Sequence, residues 1–240
     1  MANIGGMATF KDRIGIVNDA IRTIAPQIDL LMIYCNDTES YDALTQLPSN
    51  VKKYSGENIT DRGKFYFCYS LVGSDNIYFT FDDDLIYPTD YVDRTKSGVH
   101  MHNCIVGHHG KRFMGDKIIS TYTKPTPEEH KFHVAFDWGN KLDLNVDVIG
   151  SGCMAFDLRY FCPEELKENL MADIEICCMA KKLNLKMVAL SHPHKWIQQN
   201  IKMQNKWSIY EHFITNIDVK QTEMVNQYFY NDYKSLAPTV

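Results

Sequence analysis

Three consecutive aspartates, Asp82 to Asp84, stand directly after the apolar run NIYFTF and before the apolar residues LIYP. Side chains alternate along a strand, so an Asp-x-Asp pair at a strand end sends two carboxylates to the same side. A hard divalent cation that holds phosphate oxygens is the usual reason for a protein to tolerate such repulsion. The alternative is a solvated acidic turn, and the apolar residues on both sides favour the metal site.

Two further segments could assist the carboxylates. In SHPHKW, His192 and His194 could add a neutral imidazole ligand to a Mn-like ion, although a pair of surface histidines is the alternative. The GSG segment, which is Gly150, Ser151 and Gly152, would allow the backbone to approach a ligand closely. Glycines in a strand also mark a bulge or a bend, so both interpretations remain open.

Other charged residues have two interpretations each. In MADIE, Asp173 and Glu175 come near a predicted helix start, where capping alone would explain carboxylates. In ITDRGKFYF, Asp61 and Lys64 flank a glycine, and Lys64 or Arg13 could contact a diphosphate. A solvated charge pair is the alternative.

The elements that would position these residues form a β-α-β opening. The sequence predicts a strand at 2–4, a loop at 5–12, and an amphipathic helix whose apolar residues recur at helical spacing from 14 to 24. Pro26 should end that helix, and IDLLMIYC should be a buried strand. NIYFTF and HNCIVGHHG are the next predicted strands. Ligands of open α/β sheets bind beyond the carboxyl ends of the strands, where the aspartates stand.

The second half of the chain is predicted to continue the same pattern. VDVIGSGCMAFD should be a strand interrupted by glycines, and PEELKENLMADIEICCMAKKLN should contain one or two helices. KMVAL is a further predicted strand, which runs into SHPHKW. The aromatic-rich tail at 207–233 is predicted to be helical.

Composition limits the classes of function. The chain of 240 residues is 45% hydrophobic and has no linker-like segment, which favours one domain. Its net charge of -5 and scattered basic residues argue against a nucleic-acid partner. Seven cysteines without CxxC spacing indicate reduced thiols and a cytoplasmic protein. No apolar run reaches the roughly 18 residues of a transmembrane helix, so we expect any membrane contact to be peripheral.

The order of these motifs resembles that of GT-A glycosyltransferases with a DxD motif. The closer resemblance is to the bacterial α-1,4-N-acetylglucosaminyltransferases of heparosan capsule synthesis (the KfiA type). Patterns similar to QIDLLMIYCN, DRGKFYF, FDDDLIYPTDYV, NCIVGHHG, VIGSG and MADIEI occur there in this order. The similarity covers about 2–196, with departures at SHPHKW, where that family has basic residues, and at 114–147.

The resemblance implies a fold and an organisation. The fold would be α/β, a GT-A (Rossmann-like) single domain with a central, mostly parallel sheet flanked by helices. Residues 1–100 would form the nucleotide-binding half and 101–200 the acceptor and catalytic half. Residues 201–240 would form a C-terminal helical tail.

The resemblance also implies roles for individual residues. Asp84 would coordinate Mn²⁺ or Mg²⁺ that bridges the diphosphate of a UDP-sugar, with His194 or His192 completing the coordination. Asp82 and Asp83 would bind the ribose or a water molecule near the metal. Asp173 would lie at the reacting centre. The remaining donor-binding residues would be Thr9, Arg13, Asn36, Asp61, Lys64, Gly150, Ser151 and Gly152.

The implied reaction is transfer of N-acetylglucosamine from UDP-GlcNAc to the non-reducing glucuronic acid end of a heparosan-type chain. The α-1,4 linkage would form with retention, alongside a partner glucuronosyltransferase. A rhamnosyl, glucosyl or galactosyl transferase of surface or viral glycans is the alternative within the same fold. From other classes, a metal-dependent phosphohydrolase and a non-catalytic glycan-binding module remain as further alternatives.

Overall fold

A computed structural model of the chain describes residues 1–114, 118, 130–203 and 218–231. Within these residues the main sheet has eight strands in the order β3-β2-β1-β4-β11-β6-β12-β9. The strands of this sheet and of two smaller ones are β1 (Ala2–Thr9), β2 (Leu30–Cys35), β3 (Val51–Ser55), β4 (Asn76–Phe81), β5 (Leu85–Ile86), β6 (Ile105–Gly107), β7 (Gly110–Met114), β8 (His130–Val134), β9 (Leu144–Asn145), β10 (Val148–Ile149), β11 (Met154–Asp157), β12 (Met187–Ala189) and β13 (Gln198–Gln199).

The main sheet is mostly parallel, as predicted. β1 pairs in parallel with β2 and β4, β2 with β3, and β6 with β12. β11 is inserted antiparallel between β4 and β6, and β9 pairs antiparallel with β12 at the edge. β10, β7 and β8 form a separate antiparallel sheet, and β13 pairs with β5. The predicted α/β class is therefore confirmed.

Helices cover both faces of this sheet. α1 (Ile14–Ile24) and α3 (Tyr91–His102) pack on one face, whereas α4 (Ala172–Lys182) and α5 (Asp218–Asn226) pack on the other. β4 serves both cores because its side chains alternate, with Phe79 facing the first and Tyr78 the second. The other helical segments are α2 (Thr38–Ala43), the 3-10 helices Lys11–Arg13, Ala25–Gln27, Thr60–Phe65, Cys68–Leu71 and Ile201–Met203, and the π-helix Gln227–Asn231.

Several predicted boundaries are revised. The GSG segment does not interrupt one strand but separates β10 from β11, which belong to different sheets. Only the later part of PEELKENLMADIEICCMAKKLN is helical, because α4 begins at Ala172. The tail is helical over 218–231, and the rest of the predicted tail helix lies outside the described residues. Every helix in the described ranges is too short or too polar to cross a lipid bilayer.

The first strand is longer than predicted and continues through two glycines to Thr9. A side chain at Gly6 would collide with the backbone carbonyl of Lys64 and with the hydroxyl of Tyr78. A side chain at Gly5 would collide with the ring of Phe81. The glycines therefore permit close packing within a regular strand rather than forming a loop. This packing carries Thr9 to the carboxyl edge of the sheet and brings Lys64 against β1.

We predict that Gly6→Ala destabilises the protein by about 2–3 kcal/mol, because the new methyl group must displace the Lys64 backbone. Urea denaturation measures the change. Gly15→Ala is the matched control, since nothing lies within 4 Å of a side chain at this position in α1. That variant should gain about 0.5–1 kcal/mol from helix propensity. Equal stability of Gly6→Ala and the parent protein would contradict the packing described for β1.

Candidate active site

A cleft of about 630 Å³ opens at the carboxyl edge of β1, β2 and β4. Parallel strands end together at this edge, so residues distant in sequence meet there. The cleft is lined by Ala8, Phe10, Lys11, Arg13, Asn36, Asp37, Glu39, Asn58, Thr60, Asp61, Lys64, Asp82, Asp83, Asp84, Leu85, Phe136, Leu170 and Gln199. The predicted site residues outside this wall are Thr9, Gly150, Ser151, Gly152, Asp173, His192 and His194.

Each aspartate of the triplet has a partner from a different segment. Asp82 forms an ion pair with Lys64. Asp83 is buried and accepts a hydrogen bond from the Thr9 hydroxyl at 2.7 Å. Asp84 forms an ion pair with Arg13, in which Nη1 lies 3.0 Å from Oδ2.

The crowding of these carboxylates changes their acidity. Burial, together with the charge of Asp84, raises the pKa of Asp83 to about 7, although Arg13 partly opposes the shift. Burial and the charge of Asp82 likewise raise the pKa of Asp84. For Lys64, burial alone would lower the pKa, but the charges of Asp82 and Asp61 outweigh it and raise the pKa. The edge of the cleft is thus a site where additional positive charge would be stabilised.

The GSG segment lies against the triplet. Lys64 Nζ donates to the Ser151 hydroxyl at 3.1 Å while it pairs with Asp82. A side chain at Gly152 would collide with the Asp82 carboxylate. The structure therefore brings Ser151 and Gly152 to the predicted donor-binding residues.

Backbone contacts fix the position of this glycine segment. The Tyr87 hydroxyl accepts from the Asp82 N–H at 2.8 Å and donates to the Gly152 carbonyl at 2.6 Å. The Gly150 N–H donates to the His109 carbonyl at 2.9 Å. The segment is thereby tied both to the triplet and to the loop after β6.

Asn36 follows β2 and orders the loop on the far side of the cleft. Its side-chain Nδ2 donates to the Thr60 carbonyl, and its Oδ1 accepts from the Ile59 N–H, both at 3.0 Å. Asp61 lies in the 3-10 helix that follows, and its Oδ2 accepts from the Ala172 N–H at 2.9 Å. Both predicted residues line the cleft, and both also hold its wall in place.

Asp173 is in the first turn of α4 and is partly buried. Its Oδ1 accepts from the Ile174 N–H at 2.9 Å. Burial and the charge of Asp61 raise its pKa to about 6, against the opposing effects of Lys111 and Lys64. Asp173 thus lies close to the charged groups of the cleft without lining the described cavity.

The two predicted histidine ligands lie outside the wall of the cleft. His192 is buried, with Nδ1 donating to the Leu190 carbonyl at 3.0 Å and its ring 5.4 Å from that of His108. His194 is exposed, and its Nδ1 lies 3.1 Å from the Trp138 carbonyl. Neither residue lines the cleft, so their metal ligation remains a prediction without support from this geometry.

The carboxylates are the donors that could hold a metal here. Magnesium-like ions are commonly bound by one or two carboxylates, with the remaining ligands supplied by substrate phosphates. Asp84 and Asp82 fit that donor set because both line the cleft. In the described part of the chain, no group of three His, Cys, Asp or Glu side chains is arranged to hold a metal. Asp82 and Asp84 could supply two ligands to a cation whose remaining ligands came from a bound phosphate.

Several residues of the cleft were missed in the sequence. Phe10 and Lys11 follow the carboxyl end of β1, and the correct length of that strand would have indicated them. Asp37 follows Asn36 and caps α2 by accepting from the Ser40 N–H. No local signal indicated six further residues, which helical, strand and loop segments bring to the cleft: Glu39, Asn58, Thr60, Phe136, Leu170 and Gln199.

No protein-family model and no curated protein matches the sequence. Similar solved structures include S. aureus TarS 1–349 in complex with UDP-GlcNAc, with 12% identity, a TM-score of 0.48, and coverage of 100% of this chain and 74% of that chain. Another is CMP:2-keto-3-deoxy-manno-octonic acid synthetase complexed with CTP, with 12% identity, a TM-score of 0.42, and coverage of 90% and 99%.

We predict that Asp83→Asn stabilises the protein at about pH 8 by on the order of 2 kcal/mol. The pKa of Asp83 is raised on folding, so its burial costs stability as the pH rises from its ordinary pKa to about 7. Thermal unfolding with a chelator present should show no gain near pH 4 and a plateau above pH 7. Asp93→Asn, at an exposed position of α3, is the control. A gain that does not depend on pH would contradict this assignment.

Proposed function

We propose that the protein is a metal-dependent glycosyltransferase that uses a nucleotide-sugar donor. The observation that carries the proposal is the acidic triplet at the carboxyl edge of the sheet, held by Arg13 and Lys64 in a cleft of about 630 Å³. Such a cleft is large enough for a nucleotide-sized ligand. Carboxylates for a cation and fixed basic groups for a diphosphate are the two features that this donor needs.

The donor specificity follows from the resemblance in sequence. We propose UDP-GlcNAc as the donor and the glucuronic acid end of a heparosan-type polysaccharide as the acceptor. The product linkage would be α-1,4 with retention, and a glucuronosyltransferase would be the partner that alternates with it. The protein would act in the cytoplasm, where a peripheral contact with the membrane would bring it to the growing chain.

The donor-binding roles that we propose combine the resemblance in sequence with the contacts in the cleft. Asp84 would hold Mn²⁺ or Mg²⁺, which when bound neutralises charge on the departing diphosphate. Lys64 and Arg13 lie at the same edge. They would contact the phosphate oxygens and give up part of their present ion pairs with Asp82 and Asp84. Asp82 and Asp83 would bind the ribose or an ordered water. The Thr9 hydroxyl donates to the Asp83 carboxylate and would hold it in place for such a contact.

Asp173 would lie beneath the transferred sugar. Its raised pKa of about 6 leaves it mostly ionised at neutral pH, while it still titrates within reach of physiological conditions. In a retaining transfer, the carboxylate would orient the acceptor hydroxyl or stabilise positive charge at the anomeric carbon. The leaving phosphate oxygen would then take the proton of the acceptor hydroxyl.

Donor identity is tested by release of UDP from a panel of UDP-sugars, with and without a glucuronate-ended oligosaccharide. We expect turnover with UDP-GlcNAc and Mn²⁺ that depends on the acceptor. Turnover only with another UDP-sugar would replace the donor in the proposal and keep the enzyme class. Release of inorganic phosphate without an acceptor would indicate a phosphohydrolase. Glycan binding without any UDP release would indicate a binding module.

Two substitutions test the residue roles. Asp84→Ala should lower UDP release by a factor of about 100 or more, because the main ligand of the cation is lost. Asp173→Asn should lower kcat by a factor of at least about 10 and leave the KM for the donor within about twofold. Steady-state assays measure both values. Asp93→Ala is the surface control, and full activity of either site variant would contradict the assigned role.

A further inference from the structure

Three consecutive residues of the Thr60–Phe65 helix reach across to the segment that precedes α4. Thr60 Oγ1 accepts from the Leu170 N–H at 3.2 Å. Asp61 Oδ2 accepts from the Ala172 N–H at 2.9 Å in a buried contact. Arg62 Nη1 donates to the Leu166 carbonyl at 3.0 Å, and its Nη2 donates to the Asn169 side chain. These contacts join parts of the chain that are more than 100 residues apart in sequence.

Asp61 supplies a cap that α4 lacks locally. Met171 is the N-cap residue of α4 and makes no side-chain capping hydrogen bond. The first N–H groups of a helix have no partner within the helix, and a carboxylate near them is stabilised by the helix dipole. Asp61 meets the Ala172 N–H from a different part of the chain. The start of α4 is therefore fixed by a residue of the cleft wall.

Both carboxylate oxygens of Asp61 act as acceptors. The Thr60 hydroxyl donates to Oδ1 at 3.1 Å, while Oδ2 accepts from Ala172. Thr60 Oγ1 already accepts from the Leu170 N–H, so its own proton is directed at Asp61. Burial raises the pKa of Asp61, whereas the charge of Lys64 and these accepted hydrogen bonds favour its ionised form.

We propose, on the basis of the proposed function, that Asp61 is a positioning residue. It fixes Asp173 at the cleft by capping the helix on which Asp173 lies, and it acts on Asp173 through its negative charge. Asp61 was expected to bind the donor, and this role replaces direct donor binding. Asp173 is the next residue after the capped Ala172, so a shift of Ala172 would also shift Asp173.

The charged groups around Asp173 determine whether Asp61 raises or lowers its pKa. Asp61 repels the ionised form of Asp173 and raises its pKa, whereas Lys111 from β7 and Lys64 from the Thr60–Phe65 helix lower it. Removing the charge of Asp61 while keeping an acceptor for the Ala172 N–H should therefore lower the pKa of Asp173. Asn is the smallest such change, because its side-chain oxygen can still accept that hydrogen bond.

The test follows the side-chain carboxyl carbon of Asp173 by ¹³C NMR during a pH titration, with the signal assigned from Asp173→Asn. We expect the midpoint in Asp61→Asn to fall by at least about half a pH unit. Glu175→Gln is the matched control, since Glu175 is a buried carboxylate of α4 that instead accepts from the Lys167 and Glu168 N–H groups. An unchanged midpoint in Asp61→Asn, or an equal fall in Glu175→Gln, would overturn the proposal.

A measurement on the parent protein covers the case in which Asp61→Asn does not fold. Asp61 can act on Asp173 through its charge only if it is ionised while Asp173 titrates, so the titration midpoint of Asp61 should lie below that of Asp173. An Asp61 midpoint above that of Asp173 would overturn the proposal. These titrations need no turnover, so they test the role of Asp61 even if no UDP-sugar proves to be a donor.

Kinetics separate positioning from donor binding. If Asp61 positions Asp173, Asp61→Asn should shift the acid limb of the kcat profile toward lower pH and leave the KM for the UDP-sugar within about twofold. Asp61→Ala, which also loses the cap, should lower kcat by a factor of at least about 10. A rise of the donor KM by a factor of about 5 or more at unchanged kcat would instead show Asp61 to be a donor ligand and refute the positioning role.

Discussion

The structure depends on the balance of charge at the carboxyl edge of β4. Three adjacent carboxylates repel one another, and two of them are held by buried cations, Lys64 and Arg13. A buried cation is tolerated only when it is paired, and the same pairing relieves the crowding of the aspartates. Gly6 and Gly152 provide the space, since a side chain at either would displace Lys64 or Asp82. The positions of the strand end, the two cations and the two glycines therefore depend on one another.

The Thr60–Phe65 helix connects the aspartate triplet to the rest of the site. Its Lys64 pairs with the triplet and the GSG segment, while its Asp61 caps α4. Because one short helix contacts both sides, the position of Asp173 is set relative to the triplet by only a few residues. A donor bound at the triplet and an acceptor near Asp173 would then meet in a fixed geometry, which is a large part of catalysis in group transfer.

Local regularities of the sequence were reliable guides to the elements. The helical spacing in α1, the buried run of β4 and the place of the aspartates after it are all as predicted. The first strand was predicted too short because Gly5 and Gly6 suggest a loop, whereas here they permit close packing within a strand. Glycine has the same local signature in both cases, so only the neighbouring elements decide between them.

The sequence by itself determined the α/β class, the strand end that carries the triplet, and seven of the eighteen residues that line the cleft, because these follow from periodicity, from short-range order and from the resemblance in motifs. Only the tertiary structure decided which cation holds which carboxylate, and that the ring of His192 packs against that of His108. It also decided that Asp61 caps α4. Such contacts join residues far apart in the chain, and their formation depends on how the strands are ordered and how helices pack, which residue spacing does not encode.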